Sequence, residues 1–427
     1  MPHPPSAAID LLDPVLDASH KGYPPLQPPL RRSQIGARGW RVLAGDLPLP
    51  LAVVKRDELA HNLGWMRRFC DERGVGLAPH GKTTMSPQLF QRQLEAGAWG
   101  VTFANAMQLR IGVAAGVRRA LIANQVLQAV DLAAIAELQR LHPDLRVLFL
   151  LDSLQQLALI EATRPERPFE VLLEIGLPGG RTGCRDHDEA MAVARAARDS
   201  RAVRLAGVEC YEGLAAHGDS AEDTLAVQAL MQRVAAVARQ ADAEACFDAD
   251  ELILSAGGSA VFDLVVPGLK LALGRPVQGL LRSGCYITHD HGTYRRMKAL
   301  MDRRLGCDEA SGLRAALEVW TVVQSVPEPG LAILSAGRRD LSHDVEMPIP
   351  IALCLRGESL PQPVPADWTV SSLNDQHAYL RIGSATLQVG DRIGLGISHP
   401  CTTFDKWRWM PVVDAQYRVV DALVTCF

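Results

Sequence analysis

Short apolar runs alternate with amphipathic helical patterns through residues 51–281, and this alternation constrains the fold more than any other feature of the sequence. Several runs are almost unbroken in apolar residues, which is typical of strands buried on both faces of a parallel sheet. The segments between them repeat apolar residues at helical spacing, for example over 128–142. Repeated strand–helix units of this kind predict an α/β fold.

The series contains eight or nine strand-like runs, and its length matches a closed (β/α)8 TIM-type barrel of about 250 residues. An open doubly wound sheet has the same periodicity. No G-x-G-x-x-G segment and no P-loop follows the first run, however, which favours the barrel. The runs are LAVV (51–54), VGLAP (75–79), GVTFAN (100–105), RALIAN (119–124), VLFLL (147–151), FEVLLEIG (169–176), VRLAGVEC (203–210), LILSAGGS (252–259) and VQGLL (277–281).

After about residue 290 the pattern changes to short strand-like runs divided by Gly, Pro and Asp, from LEVWTVVQSV (317–326) to YRVVDALVT (417–425). Such a pattern predicts a mainly antiparallel β domain. We therefore expect three parts: an N-terminal segment, 1–47, associated with the β domain; a barrel, 48–288; and a C-terminal β domain, 289–427.

Charge and cysteine usage exclude several classes of protein. The net charge is −4 and the basic residues are dispersed, so a nucleic-acid partner is not expected. No apolar run is long enough to span a bilayer, and the N-terminus lacks a signal-peptide core, so no membrane association is expected. Nine cysteines without a CxxC pair are typical of reduced thiols in a cytoplasmic protein.

Polar residues follow the predicted barrel strands, where the working residues of such barrels lie. A lysine in that position is suited to a Schiff base with an aldehyde, and the Gly/Ser run 255–259 offers backbone N–H groups to a phosphate. Pyridoxal phosphate (PLP) carries both groups. Either feature alone is common in proteins without this cofactor, so it is their combination that indicates PLP. The strand-end residues are His80, Lys82, Asn105, Asn124, Gln125, Arg181, Tyr211, Ser255, Gly257, Gly258 and Ser259.

A second cluster, GISHPCTTFDKW, places His399 and Cys401 two residues apart. In an extended segment both side chains would face the same side, and an imidazole with a thiolate suits Zn²⁺. A buried histidine beside a buried cysteine has the same spacing, and the spacing alone favours that interpretation over a metal site. We interpret two other polar clusters, His289-Asp290-His291 and His343-Asp344, as solvated loops.

Several of these segments resemble fold-type III PLP enzymes of the D-threonine aldolase and D-serine dehydratase group, most closely the members called amino acid deaminases. The resemblance extends in order from about residue 48 to residue 427, and its most specific parts are PHGKT and SHPCTT. The similar segments are PHGKT with SPQLFQRQLEAGAWGVTFAN, LIANQV, the G-x-x-G-G-R-T-G run, GVECYEG, SAGGS, LRSGCYITHD and GDRIGLGISHPCTTFDKW.

The resemblance implies an alanine-racemase-like barrel joined to a β domain, usually as a homodimer with the site between the two domains. It implies that Lys82 carries PLP as a Schiff base and that His399 and Cys401 hold a divalent metal, Zn²⁺ or Mn²⁺. Seven other strand-end residues would contact the phosphate or the pyridine ring of the cofactor. Those cofactor contacts are His80, Arg181, Tyr211, Ser255, Gly257, Gly258 and Ser259.

The resemblance also implies the reaction. A His-x-Cys pair is similar to the dehydratases, so we expect a lyase that converts a D-configured β-hydroxy amino acid to a 2-oxo acid and ammonia. Retro-aldol cleavage to glycine and an aldehyde is the alternative, followed by a PLP carrier without turnover and by metal-free racemization or decarboxylation. This chain departs from the usual family pattern at Ala78, Thr84-Met85 and Ser335, close to the cofactor lysine and in the second domain. We expect those changes to affect substrate choice more than cofactor use.

Overall fold

The N-terminal segment runs along the last strands of the chain. The computed structural model describes residues 11–308 and 311–427, so residues 1–10 of the predicted segment lie outside the described residues. Arg32 Nη1 lies 2.5 Å from Asp421 Oδ1, and the Val42 amide donates to the Tyr417 carbonyl over 3.0 Å. The first strands are β1 (Val15–Leu16), β2 (Leu30–Arg31) and β3 (Leu51–Lys55).

Eight parallel strands curl into a barrel, as the sequence predicts. The strands are β4 (Gly76–Leu77), β5 (Val101–Phe103), β6 (Arg119–Gln125), β7 (Arg146–Leu151), β8 (Phe169–Ile175), β9 (Val203–Cys210), β10 (Leu252–Ala256) and β11 (Val277–Leu281). They pair in chain order from β5 to β11, and β11 then pairs with β4. Between β4 and β5 the ring closes through a bridge of His80 with Thr102, and the Thr102 amide donates to the Pro79 carbonyl over 2.9 Å.

Helices connect the barrel strands and cover their outer face. They are α1 (Arg56–Arg73), α2 (Pro87–Glu95), α3 (Ala106–Ala114), α4 (Ala129–Leu141), α5 (Leu154–Ala162), α6 (His187–Asp199), α7 (Ser220–Ala243) and α8 (Phe262–Val265). Local signals explain their ends: Pro87 occupies the first helical position of α2, and Gly74 ends α1 with a left-handed φ of 60°. The helix expected over 128–142 is confirmed by α4.

The C-terminal part is a mainly antiparallel sheet, again as predicted. One helix, α9 (Thr293–Leu305), precedes it, and a one-turn helix, α10 (Cys401–Phe404), lies within it. The strand order β15-β14-β18-β12-β13-β17-β16 forms its main path, and β3, β19 and β20 extend it beside β12. The strands are β12 (Leu317–Glu328), β13 (Leu331–Leu334), β14 (Ile349–Cys354), β15 (Gln362–Pro363), β16 (Thr369–Leu373), β17 (Ala378–Arg381), β18 (Arg392–Gly396), β19 (Trp409–Val413) and β20 (Val419–Val424).

The run LAVV was expected to begin the barrel, and that expectation is wrong. As β3 it pairs antiparallel with β12 and parallel with β19 in the second sheet. Four of its five residues are buried, and a strand buried on both faces has the same apolar composition in either sheet. Apolar content therefore could not reveal which sheet receives the strand. Helix α1 then carries the chain to β4, the first strand of the barrel.

Within the described ranges, no helix combines the length and the apolar character needed to cross a membrane.

Candidate active site

A cavity of about 310 Å³ lies at the carboxyl ends of the barrel strands, against the loop that follows β18. This volume is at the lower end of the range for small-molecule sites. The cavity brings together most of the residues proposed from the sequence. Those on its wall are His80, Lys82, Asn124, Arg181, Tyr211, Gly258, Ser259, His399 and Cys401.

Lys82 lies on a short 3-10 turn, Gly81–Thr83, in the loop that follows β4. A side chain at Gly81 would place its Cβ 2.9 Å from both Phe90 and Val101, so the turn packs closely on the barrel. The Lys82 side chain is itself exposed. Its position follows from where the strand ends, and this leaves the amine at the mouth of the cavity.

His80 lies beside the lysine, in surroundings that favour the neutral imidazole. Burial, followed by the charges of Lys82 and Arg282, holds the pKa of His80 well below its usual value. Its Nδ1 is buried without a hydrogen-bond partner among the described residues. An orphaned buried ring nitrogen on a cavity wall fits a site built for a polar ligand.

Arg181 and Tyr211 form a second part of the wall. The Arg181 guanidinium carbon lies 4.8 Å from the centre of the Tyr211 ring, which is cation–π geometry. Gly213 and Gly258 pack against that ring, because a Cβ would lie 2.4 Å from the Tyr211 hydroxyl at the first and 2.8 Å from a ring carbon at the second. A flat, rigid surface of this kind suits contact with an aromatic ligand.

The Gly/Ser run does not offer its backbone as the sequence predicts. The amides of Gly257 and Gly258 donate to the two carboxylate oxygens of Glu212, over 2.9 and 2.5 Å. Helix α8 behind them has four residues, too few for an appreciable helix dipole. Ser255 is buried below the cavity, where it donates to the Leu280 carbonyl over 3.1 Å. Ser255 and Gly257 are therefore not on the cavity wall, whereas Gly258 and Ser259 are.

A buried polar network that the sequence analysis missed lies at the base of the cavity. Arg282 Nη2 is 2.8 Å from Glu209 Oε2, although the approach is too bent for a good hydrogen bond. Burial raises the pKa of Glu209 to about 8. Glu174 accepts from Thr182 over 2.8 Å, and burial raises its pKa also. A usable signal existed: each glutamate lies one residue before the end of a mostly apolar strand.

The loop after β18 contributes His399 and Cys401 to the cavity wall, although their backbone is not extended as predicted. Pro400 has helical angles, φ −57° and ψ −42°, and Cys401 begins α10. Both side chains nevertheless line the cavity. The proline starts a turn, so the extended-strand geometry assumed for H-x-C does not apply.

Asp344 holds His399 in place through Nδ1, at 2.6 Å from Oδ2. Its other oxygen accepts from the Thr402 hydroxyl over 2.6 Å. A carboxylate on one ring nitrogen of a metal-binding histidine is a common arrangement, since it fixes the ring and leaves Nε2 to the metal. His399 and Cys401 therefore fit a metal ion, although no three His, Cys, Asp or Glu side chains among the described residues are already assembled as a metal centre.

The two clusters interpreted as solvated loops, 289–291 and 343–344, differ in burial. His289 and Asp290 are buried, so that interpretation is wrong for them. Asp290 caps α9 by accepting from the amides of Gly292, Tyr294 and Arg295, and burial raises its pKa to about 7. His343 and Asp344 are exposed, as expected, but Asp344 reaches His399.

The departures from the family pattern are buried or lie away from the cavity wall. Ala78 is fully buried, and its carbonyl accepts from the Thr102 hydroxyl over 2.6 Å. Met85 is also buried and has a φ of 40°. The Ser335 hydroxyl lies 3.0 Å from that of Thr321.

Comparisons with known proteins find matches for both parts of the chain. Residues 54–276 match the sequence model of the alanine racemase N-terminal domain, and residues 316–413 match the model described as "Putative serine dehydratase domain". The chain belongs to the alanine racemase N-terminal domain family of fold-type III PLP enzymes, and D-threonine aldolase is among its homologues. PLP is the cofactor that fits this family, and the chain is a PLP-dependent lyase.

Individual members of the family span nearly the whole chain. D-threonine aldolase of an Arthrobacter species is 28% identical over 82% of this chain and 85% of its own length. The crystal structure of D-threonine aldolase from Filomicrobium marinum matches with a TM-score of 0.75 and 23% identity, over 91% of this chain and 96% of that one. A cysteine-to-alanine variant of D-threo-3-hydroxyaspartate dehydratase in its metal-free form matches with a TM-score of 0.68 and 25% identity, over 91% and 99%.

Proposed function

We propose that this protein is a PLP- and metal-dependent ammonia-lyase that converts a D-configured β-hydroxy amino acid to a 2-oxo acid and ammonia. The observation that carries the proposal is that Lys82, His399 and Cys401 all line the same cavity. An amine base and a pair of metal-binding side chains at one site suit removal of a proton from Cα and of a hydroxide from Cβ.

Each wall has its own task in this proposal. PLP supplies the electron sink that stabilises negative charge at the substrate Cα. Lys82 holds the cofactor and moves the proton at that carbon, and Arg181 and Tyr211 orient the ring. His80, Ser255, Gly257, Gly258 and Ser259 are its other proposed contacts.

His399 and Cys401 would hold the metal, whose Lewis acidity makes a β-hydroxyl a better leaving group. We propose Zn²⁺, because an imidazole and a thiolate are borderline-soft ligands. Asp344 keeps the imidazole oriented.

Retro-aldol cleavage remains the second candidate, because a curated D-threonine aldolase is 28% identical to this chain. It needs the same cavity, with the β-hydroxyl losing its proton and the Cα–Cβ bond breaking. The products are then glycine and an aldehyde.

The test begins with the visible spectrum of the purified protein before and after borohydride, followed by mapping of the modified lysine. We expect a coloured protein and a label on Lys82. A colourless protein, or a label on another lysine, would contradict the cofactor site.

Products then separate the reactions. D-serine, D-threonine and D-threo-3-hydroxyaspartate are supplied in turn, and oxo acid, ammonia and glycine are measured with and without a chelator. Equal oxo acid and ammonia, lost on chelation, is the expected result. Glycine without oxo acid would establish the aldolase. Bound PLP with no turnover of any substrate would indicate a carrier, and activity that survives chelation would indicate metal-free chemistry.

We further propose a barrel domain that ends near residue 288 and a β domain, 289–427, that also takes the N-terminal segment and β3. The pairing of β3 with β12 and β19 supports this division. A homodimer is proposed from the family, and sedimentation of the holoenzyme measures it.

A further inference from the structure

A second cysteine lies against Cys401 inside the cavity. Cys285 follows β11 at the start of a 3-10 turn and is buried, whereas Cys401 belongs to the loop after β18. Their sulfurs are 3.7 Å apart, and both line the cavity. The pair thus joins the barrel to the antiparallel sheet at the site itself.

The distance between the two sulfurs is too long for a disulfide and fits two thiolates on one metal ion. A disulfide would need about 2.05 Å. Two thiolates on one tetrahedral zinc ion, each about 2.3 Å from the metal, lie about 3.8 Å apart. The observed 3.7 Å also allows one thiol to donate to the other while both retain their protons. The pair therefore reaches ligand spacing with little movement of the chain.

Surrounding contacts fix both sulfurs. The Thr83 hydroxyl is 3.4 Å from the Cys401 sulfur and 3.8 Å from the Cys285 sulfur. The Cys285 amide donates to the Ser259 hydroxyl over 3.2 Å. At Gly284 a Cβ would lie 2.5 Å from the His80 carbonyl oxygen, so the chain before Cys285 is packed tightly against the lysine turn. Such support from neighbouring groups is typical of preorganised ligands.

We propose that Cys285 is a direct ligand of the metal, so that the ion is held by Cys285, Cys401 and His399. The inference rests on the metal of the proposed function and adds a ligand to it. The two sulfurs, 3.7 Å apart, are the preformed part of the site, whereas no set of three donors is assembled among the described residues. His399 lines the same cavity, and the contact of its Nδ1 with Asp344 leaves Nε2 available as a ligand.

The added sulfur has a chemical consequence. Two thiolates and one imidazole form a recognised catalytic zinc set that leaves one position for water or substrate. Soft ligands disfavour Mn²⁺ and Mg²⁺, which prefer oxygen donors. The site therefore selects Zn²⁺ more strongly than a single His-x-Cys pair would.

The experiment counts sulfur ligands directly. Zinc K-edge X-ray absorption is recorded on the zinc-loaded holoenzyme and on its Cys285→Ser, Cys401→Ser and Cys307→Ser variants. Cys307 is an exposed free thiol and serves as the matched control. We expect two sulfurs at about 2.3 Å in the native enzyme and the control, and one sulfur in each of the other variants.

Retention of the metal gives a second readout. Loss of an outer-shell partner costs about 10–100-fold in metal affinity, so Cys285→Ser should weaken Zn²⁺ binding by more than that in a chelator competition, and Mn²⁺ binding by less. Should Cys285→Ser fail to fold, the sulfur count of the native enzyme and Cys285→Ala decide the question.

The outcomes separate this inference from the proposed function. One sulfur in the native enzyme, with Cys285→Ser unchanged, would overturn the role of Cys285 and leave the metal on His399 and Cys401. Failure of the native enzyme to retain Zn²⁺ would overturn the metal site of both proposals.

Discussion

The two walls of the cavity are built by different means. The barrel wall, with Lys82 and Tyr211, is placed by strand ends and by close backbone packing at Gly81 and Gly258. The sheet wall, with His399 and Cys401, is placed by side-chain hydrogen bonds to Asp344 and Thr83. A residue that the backbone positions keeps its place when one side-chain contact is lost. A residue that side-chain hydrogen bonds position depends on each of those partners. Substitutions beside the reacting groups should therefore matter more on the sheet wall.

On the barrel wall, removal of the Lys82 amine should abolish catalysis. Lys82→Ala and Lys82→Arg should each lower kcat by about 10⁴-fold or more, because neither can form the Schiff base and general-base catalysis is lost as well. Lys270→Ala, at an exposed lysine of the barrel, is the control and should behave as the native enzyme. Residual activity of Lys82→Arg within tenfold of native would contradict the assignment.

On the sheet wall, a residue that carries no proposed chemistry should have a large effect. Asp344→Asn should lower metal affinity by about 10–100-fold, because the His399 ring loses its orienting carboxylate. Metal content after graded chelation measures this. Thr402→Val removes the other partner of Asp344 and should cost much less. Equal losses in the two variants would show that the loop as a whole, rather than the imidazole, is affected.

A third prediction concerns pH and the base of the barrel wall. Because burial raises the pKa of Glu209 to about 8, the folded protein keeps a proton that the unfolded chain releases above about pH 4.5. Stability from this group is present at low pH and is lost as pH rises toward 8, by at most about 1.4 kcal/mol per pH unit.

Urea unfolding of native protein and Glu209→Gln between pH 5 and 8 tests this. The native free energy of unfolding should fall relative to the variant as pH rises. Glu251→Gln, at an exposed position, should show no such divergence. Parallel curves for native and Glu209→Gln would mean that Arg282 keeps the carboxylate ionised.

The smallest effect is expected at the Gly/Ser run. Glu212 occupies the amides of Gly257 and Gly258, so a phosphate near them meets a carboxylate. Glu212→Gln should tighten PLP binding to the apoprotein by roughly threefold to tenfold, because a negative charge is removed at the cost of one hydrogen bond. Glu222→Gln makes the same charge change at an exposed helix position. Weaker binding in Glu212→Gln would show that the carboxylate positions the loop for the phosphate.

The same contrast explains what the sequence could predict. The strand-end rule located Lys82, Arg181 and Tyr211, because a repeating parallel topology brings strand ends together. The buried glutamates Glu174 and Glu209 were visible as charges in apolar strands but were not used. The barrel could be expected from nine runs, yet the assignment of LAVV failed because burial looks the same in either sheet.

The sheet wall has no comparable rule. The pair His399 and Cys401 was found by its spacing, but Asp344 and Cys285 reach it only through the tertiary fold, from positions far away in the chain. The phosphate role of Gly257 was likewise inferred from a local pattern. No local pattern could show that Glu212 takes its amide.

The closure of the barrel between β4 and β5 has a dynamic consequence. At that seam the His80–Thr102 bridge stands outside any regular ladder, and it lies two residues from Lys82. Amides at weakly paired edges exchange with solvent through local opening. A cofactor bound to Lys82 would stabilise this closure, so deuterium uptake at the Thr102 amide would report whether the cofactor is bound. The edge at which the barrel strands are least regularly paired would then be the edge beside which the cofactor is bound.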